Sequence, residues 1–169
     1  MKVLWLIPLT LIVDQTSKYM VEGTMKLGQS IPLLENFFGD FFRLTYIHNK
    51  GAAFGLNIGS PFLHTLISIL ALFILIWMFW TMPRESRLLR FALTLVLGGA
   101  VGNIIDRFRL GEVIDFFDLG IGTLRWPVFN FADSFVTVGI LLLALGYARQ
   151  KEEQPAGQDT DVQSDQVEG

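Results

Sequence analysis

The sequence predicts an all-α membrane protein, a bundle of four transmembrane helices with a small extracytoplasmic β-element and a short interfacial helix. Of its 169 residues, 51% are hydrophobic and 17% are charged. The mean hydropathy of +0.47 is well above that of an ordinary soluble domain. Four stretches also approach the roughly 20 apolar residues with which an α-helix crosses a bilayer. No internal repeat is visible, which favours one membrane-embedded domain over residues 1–151.

The four predicted spans are nearly free of charge, and they cover residues 3–21, 62–82, 88–105 and 129–147. The third has one charged residue, Arg90 near its start, the second has only His64 and the fourth has only the charge of Asp133, whereas the first contains Asp14 and Lys18. No small-residue cleavage site follows the first span, and both charges would be unusual in a signal peptide. We therefore expect this span to be retained as a helix.

The distribution of basic residues predicts the direction of the spans, because lysine and arginine near helix ends mark the cytoplasmic side. They flank the first span, the turn after the second and the end of the fourth: Lys2, Arg84, Arg87, Arg90, Arg149 and Lys151. Both termini are thus expected in the cytoplasm, with residues 22–61 and 106–128 outside. Residues 152–169 hold six acidic residues and no lysine or arginine, and they predict a disordered cytoplasmic tail.

Two segments outside the spans have local patterns of their own. FFRLTYIH (41–48) is rich in aromatic and β-branched residues and predicts a strand, paired with residues 30–35. GAAFGLNIGSP (51–61) predicts a short interfacial helical turn before Pro61 opens the second span.

Charged residues inside hydrocarbon are costly, so each one is a functional candidate. Asp14 and Lys18 are four positions apart, the spacing of an ion pair on one helix face. They have either a structural role inside the bundle or a direct chemical one. The third span ends in GGAVGNIIDR (98–107), where small residues allow close helix packing. Asn103 and Asp106 share a face there, and Arg107 can pair with a neighbouring acid.

Two further carboxylates lie where the chain meets the outer boundary. Asp115 stands between Ile114 and Phe116 in GEVIDFFDLG, and Asp133 follows Asn130 by three positions in FNFADS. Asp133 is alternatively the N-cap of the fourth helix, and nearby Asp118 is expected to be solvated. Because Asp115 and Asp133 lie at the two ends of one loop, they can meet.

Two carboxyl groups that meet in an apolar setting share a proton, and their pKa values move apart. The ionised member can then take a proton from an attacking water, and the protonated member can donate to the developing oxyanion. This predicts general acid–base hydrolysis without a metal, a cysteine or an activated serine.

Other chemistries have weaker support. The chain has no cysteine, and His48 and His64 form no HExxH motif, which argues against a zinc site. GxSxG, Walker and GxGxxG motifs are absent, and a membrane bundle offers no nucleic-acid surface. A Ser/Lys dyad of Ser134 and Lys18, a proton-coupled transporter and a non-catalytic scaffold remain as alternatives. A transporter would carry ionisable groups through the bilayer depth, whereas most of these acids cluster at one boundary.

Five blocks together resemble the bacterial lipoprotein signal peptidases, or signal peptidase II: DQTSK (14–18), NKGAAFG (49–55), GGAVGNIIDR (98–107), VIDFF (113–117) and FNFADS (129–134). The resemblance implies a multi-pass aspartyl endopeptidase of the bacterial inner membrane with its site near the extracytoplasmic face. It implies cleavage of diacylglyceryl-modified prolipoproteins just before the lipidated cysteine. It also implies inhibition by the cyclic peptide globomycin.

By the same resemblance, Asp115 and Asp133 are the catalytic pair. The implied supporting residues, which position substrate or hydrogen-bond near the pair, are Asp14, Lys18, Asn49, Asn103, Asp106, Arg107 and Asn130. No cofactor, metal or nucleic-acid partner is expected. The protein is expected to act as a monomer among membrane lipids.

Overall fold

The computed structural model describes residues 2–51 and 60–153. Most of the turn predicted at 51–61, and the tail after residue 153, lie outside the described residues. In chain order, a 3-10 turn Lys2–Trp5 is followed by α1 Leu6–Thr24, β1 Ser30–Pro32, α2 Glu35–Phe38, β2 Phe42–Asn49, α3 Pro61–Thr81, α4 Arg87–Leu110, β3 Val113–Ile121, β4 Leu124–Arg125 and α5 Phe131–Glu153.

Within the described residues, three helices are long and apolar enough to cross a membrane: Pro61–Thr81, Arg87–Leu110 and Phe131–Gln150. They correspond to the second, third and fourth predicted spans. Helix α1 is 19 residues long but carries three charged residues, Asp14, Lys18 and Glu22, and does not meet the same criterion.

The helix ends follow from local sequence. Ser60 caps α3, because its hydroxyl accepts a hydrogen bond from the Leu63 N–H, and Pro61 takes the first helical position. Helix α4 runs five residues past the predicted end at 105, to Leu110, and Gly111 follows it. This glycine has a φ of 76° and its N–H bonds to the Arg107 carbonyl, which ends the helix.

Helix α4 is the central helix and packs against α1, α3 and α5. Its glycines lie against the neighbouring helices: a Cβ on Gly99 would lie 2.3 Å from the Ala132 carbonyl oxygen, and one on Gly102 would lie 2.5 Å from Asp14 Oδ2. The close helix approach predicted from the small residues of GGAVGNIIDR is therefore confirmed. Helix α3 leaves most of its apolar surface exposed.

The β-element is a four-stranded antiparallel sheet in the order β1-β2-β3-β4. The predicted strand at 41–48 and its pairing with 30–35 are confirmed, because Ser30 pairs with Thr45 and Ile31 with Leu44. Strand β3 was not predicted, since residues 106–128 were interpreted as a loop. Its register places Asp115 opposite Ile47, two positions from Asn49, so strand pairing brings Asn49 to Asp115.

The expectation that Asp118 is solvated is wrong. Its side chain is buried on β3, where Arg125 Nε lies 2.5 Å from Oδ1 and the Thr45 hydroxyl donates to Oδ2 at 2.6 Å. The short β3–β4 hairpin returns Arg125 beside the acid, and the spacing of the acids alone did not indicate this.

Candidate active site

A buried polar cluster lies where α1, α4 and the start of α5 meet the sheet. We call it the carboxylate network, and its members are Asp14, Lys18, Asn103, Asp106, Asp115, Asn130 and Asp133. Five of these side chains are at most 1% exposed: Asp14, Lys18, Asp106, Asp115 and Asn130. Because burying polar groups is unfavourable unless they are hydrogen-bonded, the partners of each group determine what the network can do.

Lys18 is the cation of the network. Its ammonium nitrogen lies 2.9 Å from Asp14 Oδ2, 2.8 Å from Asp106 Oδ2 and 3.1 Å from Asn103 Oδ1. All three ammonium donors therefore have an acceptor. The ion pair predicted from the i,i+4 spacing is present, and Asp106 extends it from α1 to α4.

The two acids beside Lys18 also hold backbone groups of neighbouring elements. Asp14 Oδ1 accepts from the Ala132 N–H at 2.9 Å, in the first turn of α5. Asp106 Oδ2 accepts from the Ile114 N–H at 3.2 Å, at the start of β3. These contacts join α1 to α5 and α4 to the sheet, so the ion cluster positions the elements that carry Asp115 and Asp133.

Gln15 is a contributor that the sequence analysis missed. Its side-chain amide lies 3.0 Å from Asp14 Oδ2, 3.1 Å from Asp106 Oδ1 and 3.2 Å from the Gly102 carbonyl. A polar residue inside an otherwise apolar span was the available signal.

Asn130 is the residue that begins α5. Its Oδ1 accepts from the Asp133 N–H at 2.9 Å, and Asp133 Oδ2 accepts from the Asn130 N–H at 3.3 Å. This is the reciprocal geometry of a capping box. The alternative interpretation of Asp133 as the N-cap is wrong, because Asn130 holds that position and Asp133 lies in the first turn.

Two asparagine side chains link the acids to each other. Asn130 Nδ2 donates to Asp115 Oδ1 at 2.7 Å and also lies 3.1 Å from Asn103 Oδ1. Asn103 Nδ2 donates to Asp133 Oδ1 at 2.7 Å. Since Asn103 Oδ1 faces donors from Lys18 and Asn130, the hydrogen-bonding pattern favours this orientation of its amide.

Of the two carboxylates Asp115 and Asp133, Asp115 is the more deeply buried. Asn49 Nδ2 donates to its Oδ2 at 2.8 Å, so both carboxylate oxygens accept an amide hydrogen bond. Burial, and next the negative charge of Asp133, raise the pKa of Asp115 to about 7, although the Asn49, Lys18 and Asn130 interactions oppose the shift. A substantial fraction of the Asp115 carboxyl groups therefore keeps its proton near neutral pH.

Arg107 lies at the edge of the network. Its guanidinium donates to the Asn103 carbonyl oxygen at 3.2 Å, and Asp133, Asp115 and Asp106 attract its charge. All nine residues singled out from the sequence thus lie in or beside one cluster: Asp14, Lys18, Asn49, Asn103, Asp106, Arg107, Asp115, Asn130 and Asp133.

The contacts do not favour the alternative sites, a dyad of Ser134 and Lys18 or a metal site. The Ser134 hydroxyl donates to the Asn130 carbonyl at 2.9 Å, whereas the Lys18 donors point to Asp14, Asp106 and Asn103. In the part of the chain that the structure describes, no three His, Asp or Glu side chains converge in a way that could hold a metal ion.

The fold and this cluster define a helical, multi-pass membrane protein with a buried network of carboxylates at one end of its bundle. Comparison with known proteins narrows that class. Residues 6–149 match the family model for signal peptidase (SPase) II. The chain is 43% identical over 135 residues to the lipoprotein signal peptidase of Moorella thermoacetica, which covers 80% of this chain and 85% of that protein.

The lipoprotein signal peptidase of Geobacter sulfurreducens is 40% identical over 149 residues, which covers 86% of this chain and 90% of that protein. A bacterial membrane enzyme structure determined by the in meso method at 2.3 Å resolution has a TM-score of 0.80 at 30% identity, with 92% of each chain covered. A second one, at 1.9 Å, has a TM-score of 0.76 at 33% identity, with 86% and 92% covered. The chain belongs to the signal peptidase II family, and this membership indicates a peptidase.

Proposed function

We propose that this protein is an aspartyl endopeptidase that removes the signal peptide from diacylglyceryl-modified prolipoproteins, cleaving before the lipidated cysteine. The observation that carries the proposal is the position of Asn130, which contacts both Asp115 and Asp133. Both carboxylates hydrogen-bond to this one residue, and the negative charge of Asp133 contributes to the raised pKa of Asp115, which supports an interacting pair. The similarity to proteins named lipoprotein signal peptidase supports the substrate class.

In the proposed reaction, the ionised member of the pair accepts a proton from a water as its oxygen attacks the scissile carbonyl carbon. The protonated member donates to the carbonyl oxygen, which gives a neutral tetrahedral diol. Collapse of this diol breaks the C–N bond, and the leaving amine takes the proton that the first carboxyl group had acquired. As the product carboxyl group forms, one hydroxyl of the diol returns a proton to the second carboxylate. The pair returns to its one-proton state, and the steps use no metal or cofactor.

The raised pKa of Asp115, about 7, supports its role as the proton-bearing member near neutral pH. Asp133 receives two donors, the Asn103 amide and the Asn130 N–H, and it lies in the first turn of α5. A helix N-terminus favours negative charge. We therefore assign Asp133 as the ionised member that activates the water.

The supporting residues have structural tasks in this scheme. Asn49 and Asn130 orient Asp115, and Asn103 orients Asp133. Asp14, Lys18 and Asp106 hold the start of α5 and of β3 in place. Arg107, at the edge of the network, is assigned to substrate positioning.

The proposed topology has four membrane crossings, with both termini in the cytoplasm and the site near the extracytoplasmic face. We count helix α1 as the fourth crossing. Its charged residues Asp14 and Lys18 are buried inside the bundle, away from lipid, whereas the apolar residues Leu9, Ile12 and Met20 are exposed. A site at the boundary lets the substrate's diacylglyceryl chains stay in the bilayer, since extraction would cost about 0.8 kcal/mol per CH₂ group. We further propose that the enzyme acts as a monomer and binds globomycin.

The test compares Asp115→Asn and Asp133→Asn with Asp118→Asn, a buried carboxylate three positions along β3 that pairs with Arg125 outside the network. Processing of a diacylated prolipoprotein is followed in detergent, with thermal unfolding as the folding control. Each pair variant should lose roughly 100-fold or more in turnover, the range of general acid–base catalysis. Asp118→Asn should keep most of its turnover.

Wild-type processing by a folded Asp115→Asn or Asp133→Asn variant would show that the aspartate mechanism is wrong. A wild-type enzyme that cleaves the diacylated and the unmodified precursor equally well would instead contradict the assigned substrate.

A further inference from the structure

A cavity of about 620 Å³ opens at the end of the bundle opposite the carboxylate network. It lies between the last turn of α3, the first turn of α4 and the last turns of α5. Its floor is apolar: Met78 and Tyr147 are accessible there, and Met82 and Leu89 are almost fully buried. Its rim is polar and includes Ser86 and Gln150, whose side chains are hydrogen-bonded at 3.2 Å.

A smaller cavity of about 270 Å³ shares Ser86, Leu89 and Gln150 with the first and adds Arg87 and Arg149 to the lining. The two cavities together form one depression, which we call the inner groove. Apolar side chains line the larger cavity, and two arginines line the smaller one. Glu85 also lines the smaller cavity, but because two arginines face one glutamate, the groove keeps a net positive charge.

The exposed tryptophans indicate where the inner groove lies relative to a bilayer. Trp77 and Trp80 flank the groove residue Met78 on α3 and are 66% and 72% exposed. Tryptophan side chains concentrate at the membrane–water interface. The groove therefore lies at the depth where acyl chains meet headgroups.

We propose that the inner groove binds an anionic phospholipid of the cytoplasmic leaflet. Arg87 and Arg149 receive the phosphate and headgroup, and the first methylene groups of an acyl chain lie along Met78 and Tyr147. Arginine forks match phosphate oxygens, and basic pockets between transmembrane helices bind anionic headgroups. Binding does not depend on the peptidase activity, whereas the leaflet follows from the proposed topology.

The apolar floor distinguishes a lipid from a soluble anion. A free phosphate ion could use the two arginines but would leave Met78 and the half-exposed Tyr147 uncovered, whereas a phospholipid covers both ends of the groove. Inorganic phosphate is therefore one arm of the test.

The test measures lipid retention on the full-length protein in detergent by native mass spectrometry. The probes are phosphatidylglycerol, phosphatidylcholine with the same acyl chains, and inorganic phosphate. The wild-type chain should prefer phosphatidylglycerol. In Arg87→Gln/Arg149→Gln the affinity for phosphatidylglycerol should fall about five-fold per arginine, while phosphatidylcholine binding changes little.

Arg84→Gln is the matched control, because Arg84 lies in the same turn but does not line the groove. It should bind phosphatidylglycerol as the wild type does. Gln150→Trp fills the rim from an exposed position and leaves both arginines in place, so it should also weaken phosphatidylglycerol binding. This second variant keeps the test informative if the double arginine variant does not fold.

Three results would overturn the proposal: an unchanged preference in both groove variants, an equal loss in Arg84→Gln, or equal binding of inorganic phosphate. Prolipoprotein processing by the double variant in phosphatidylcholine micelles should match the wild type. A failure of the lipid site is therefore distinguishable from a failure of the proposed peptidase function.

Discussion

Lys18 on α1 and Asp106 on α4 form an ion pair of 2.8 Å in which both side chains are fully buried. Asp14 joins them at 2.9 Å from the same ammonium group, so one cation faces two carboxylates. Such a cluster adds little net stability while it is intact, because desolvation offsets much of the attraction. Removing only one charge of the cluster lowers the stability of the fold strongly, since the remaining charges stay buried without a counterion.

Lys18→Met should therefore destabilise the protein by about 3–5 kcal/mol, the range for breaking a buried ion pair from one side. Thermal or denaturant unfolding in detergent measures the change. Lys50→Met is the control, because Lys50 is 61% exposed and 3.7 Å from Glu112, so its loss should cost less than about 1 kcal/mol. Equal stability of the two variants would contradict the burial of the Lys18 cluster.

The contacts around Lys18 show what the sequence could predict. Residues four apart on one helix must share a face, so the pairing of Asp14 and Lys18 followed from spacing alone. The partner Asp106 comes from another helix, and its approach depends on the glycine contacts of α4 with α1 and α5. The residues around Lys18 or Asp106 in the sequence therefore do not indicate that these two side chains form an ion pair.

The strands of the sheet also differ in how far the sequence predicts them. Strand β2 was predictable because its aromatic and β-branched residues alternate, but β3 was interpreted as a loop between two spans. Its two acids, Asp115 and Asp118, interrupt the apolar pattern of the strand. The sequence distinguishes Asp115 by its apolar neighbours Ile114 and Phe116, whereas Asp118 is expected to be solvated. The structure separates them by partner, since Asp118 meets Arg125 and Asp115 meets Asn49 and Asn130.

Asn130 combines a cap for α5 with a hydrogen bond to Asp115, and two substitutions separate these roles. Asn130→Ser keeps a good N-cap but leaves the buried Asp115 oxygen without its amide donor, so stability should fall by about 1–3 kcal/mol while turnover falls about ten-fold or more. Asn130→Ala loses both functions and should be a further 1 kcal/mol or so less stable. Turnover and unfolding are measured on the same preparations.

If Asn130→Ser processed substrate at the wild-type rate, the hydrogen bond to Asp115 would have no role in turnover. If Asn130→Ser and Asn130→Ala were equally stable, Asn130 would not act as the cap.

The stability of the protein should depend on the protonation of Asp115. Because burial and Asp133 raise the pKa of Asp115 to about 7, the folded state holds a proton that the unfolded chain releases near pH 4. Between these values the folded state binds more protons, so the contribution of Asp115 to stability decreases as the pH rises. It is most favourable below about pH 4 and fully lost above about pH 7.

Asp115→Asn removes this titration, so the stability of the variant relative to wild type should increase between about pH 4 and pH 7, by up to 1.4 kcal/mol per unit of pKa shift. Unfolding of both proteins across this range measures the difference. A difference that stays constant with pH would exclude a raised pKa of Asp115. In the wild type, turnover should also decline above about pH 7, where Asp115 loses the proton it donates.

The packing of α4 on α5 should be sensitive to a single methyl group. A Cβ at Gly99 would lie 2.3 Å from the Ala132 carbonyl oxygen and 2.8 Å from Val136 Cγ2. The carbonyl is backbone at the start of α5, so Gly99→Ala must displace the turn that carries Asn130 and Asp133. Overpacking of this kind costs about 1–3 kcal/mol, and turnover should fall because Asp133 moves relative to Asp115.

Gly23→Ala provides the matched control for Gly99→Ala. Gly23 lies in the last turn of helix α1, and a Cβ there would meet no atom within 4 Å. Alanine replaces glycine in a helix with a gain of about 0.5–1 kcal/mol, so this variant should be at least as stable as the wild type and fully active. If Gly99→Ala behaved like Gly23→Ala in unfolding and in turnover, the start of α5 would be free to shift without consequence. The close contact between α4 and α5 would then not be what holds Asp133 in its position beside Asp115.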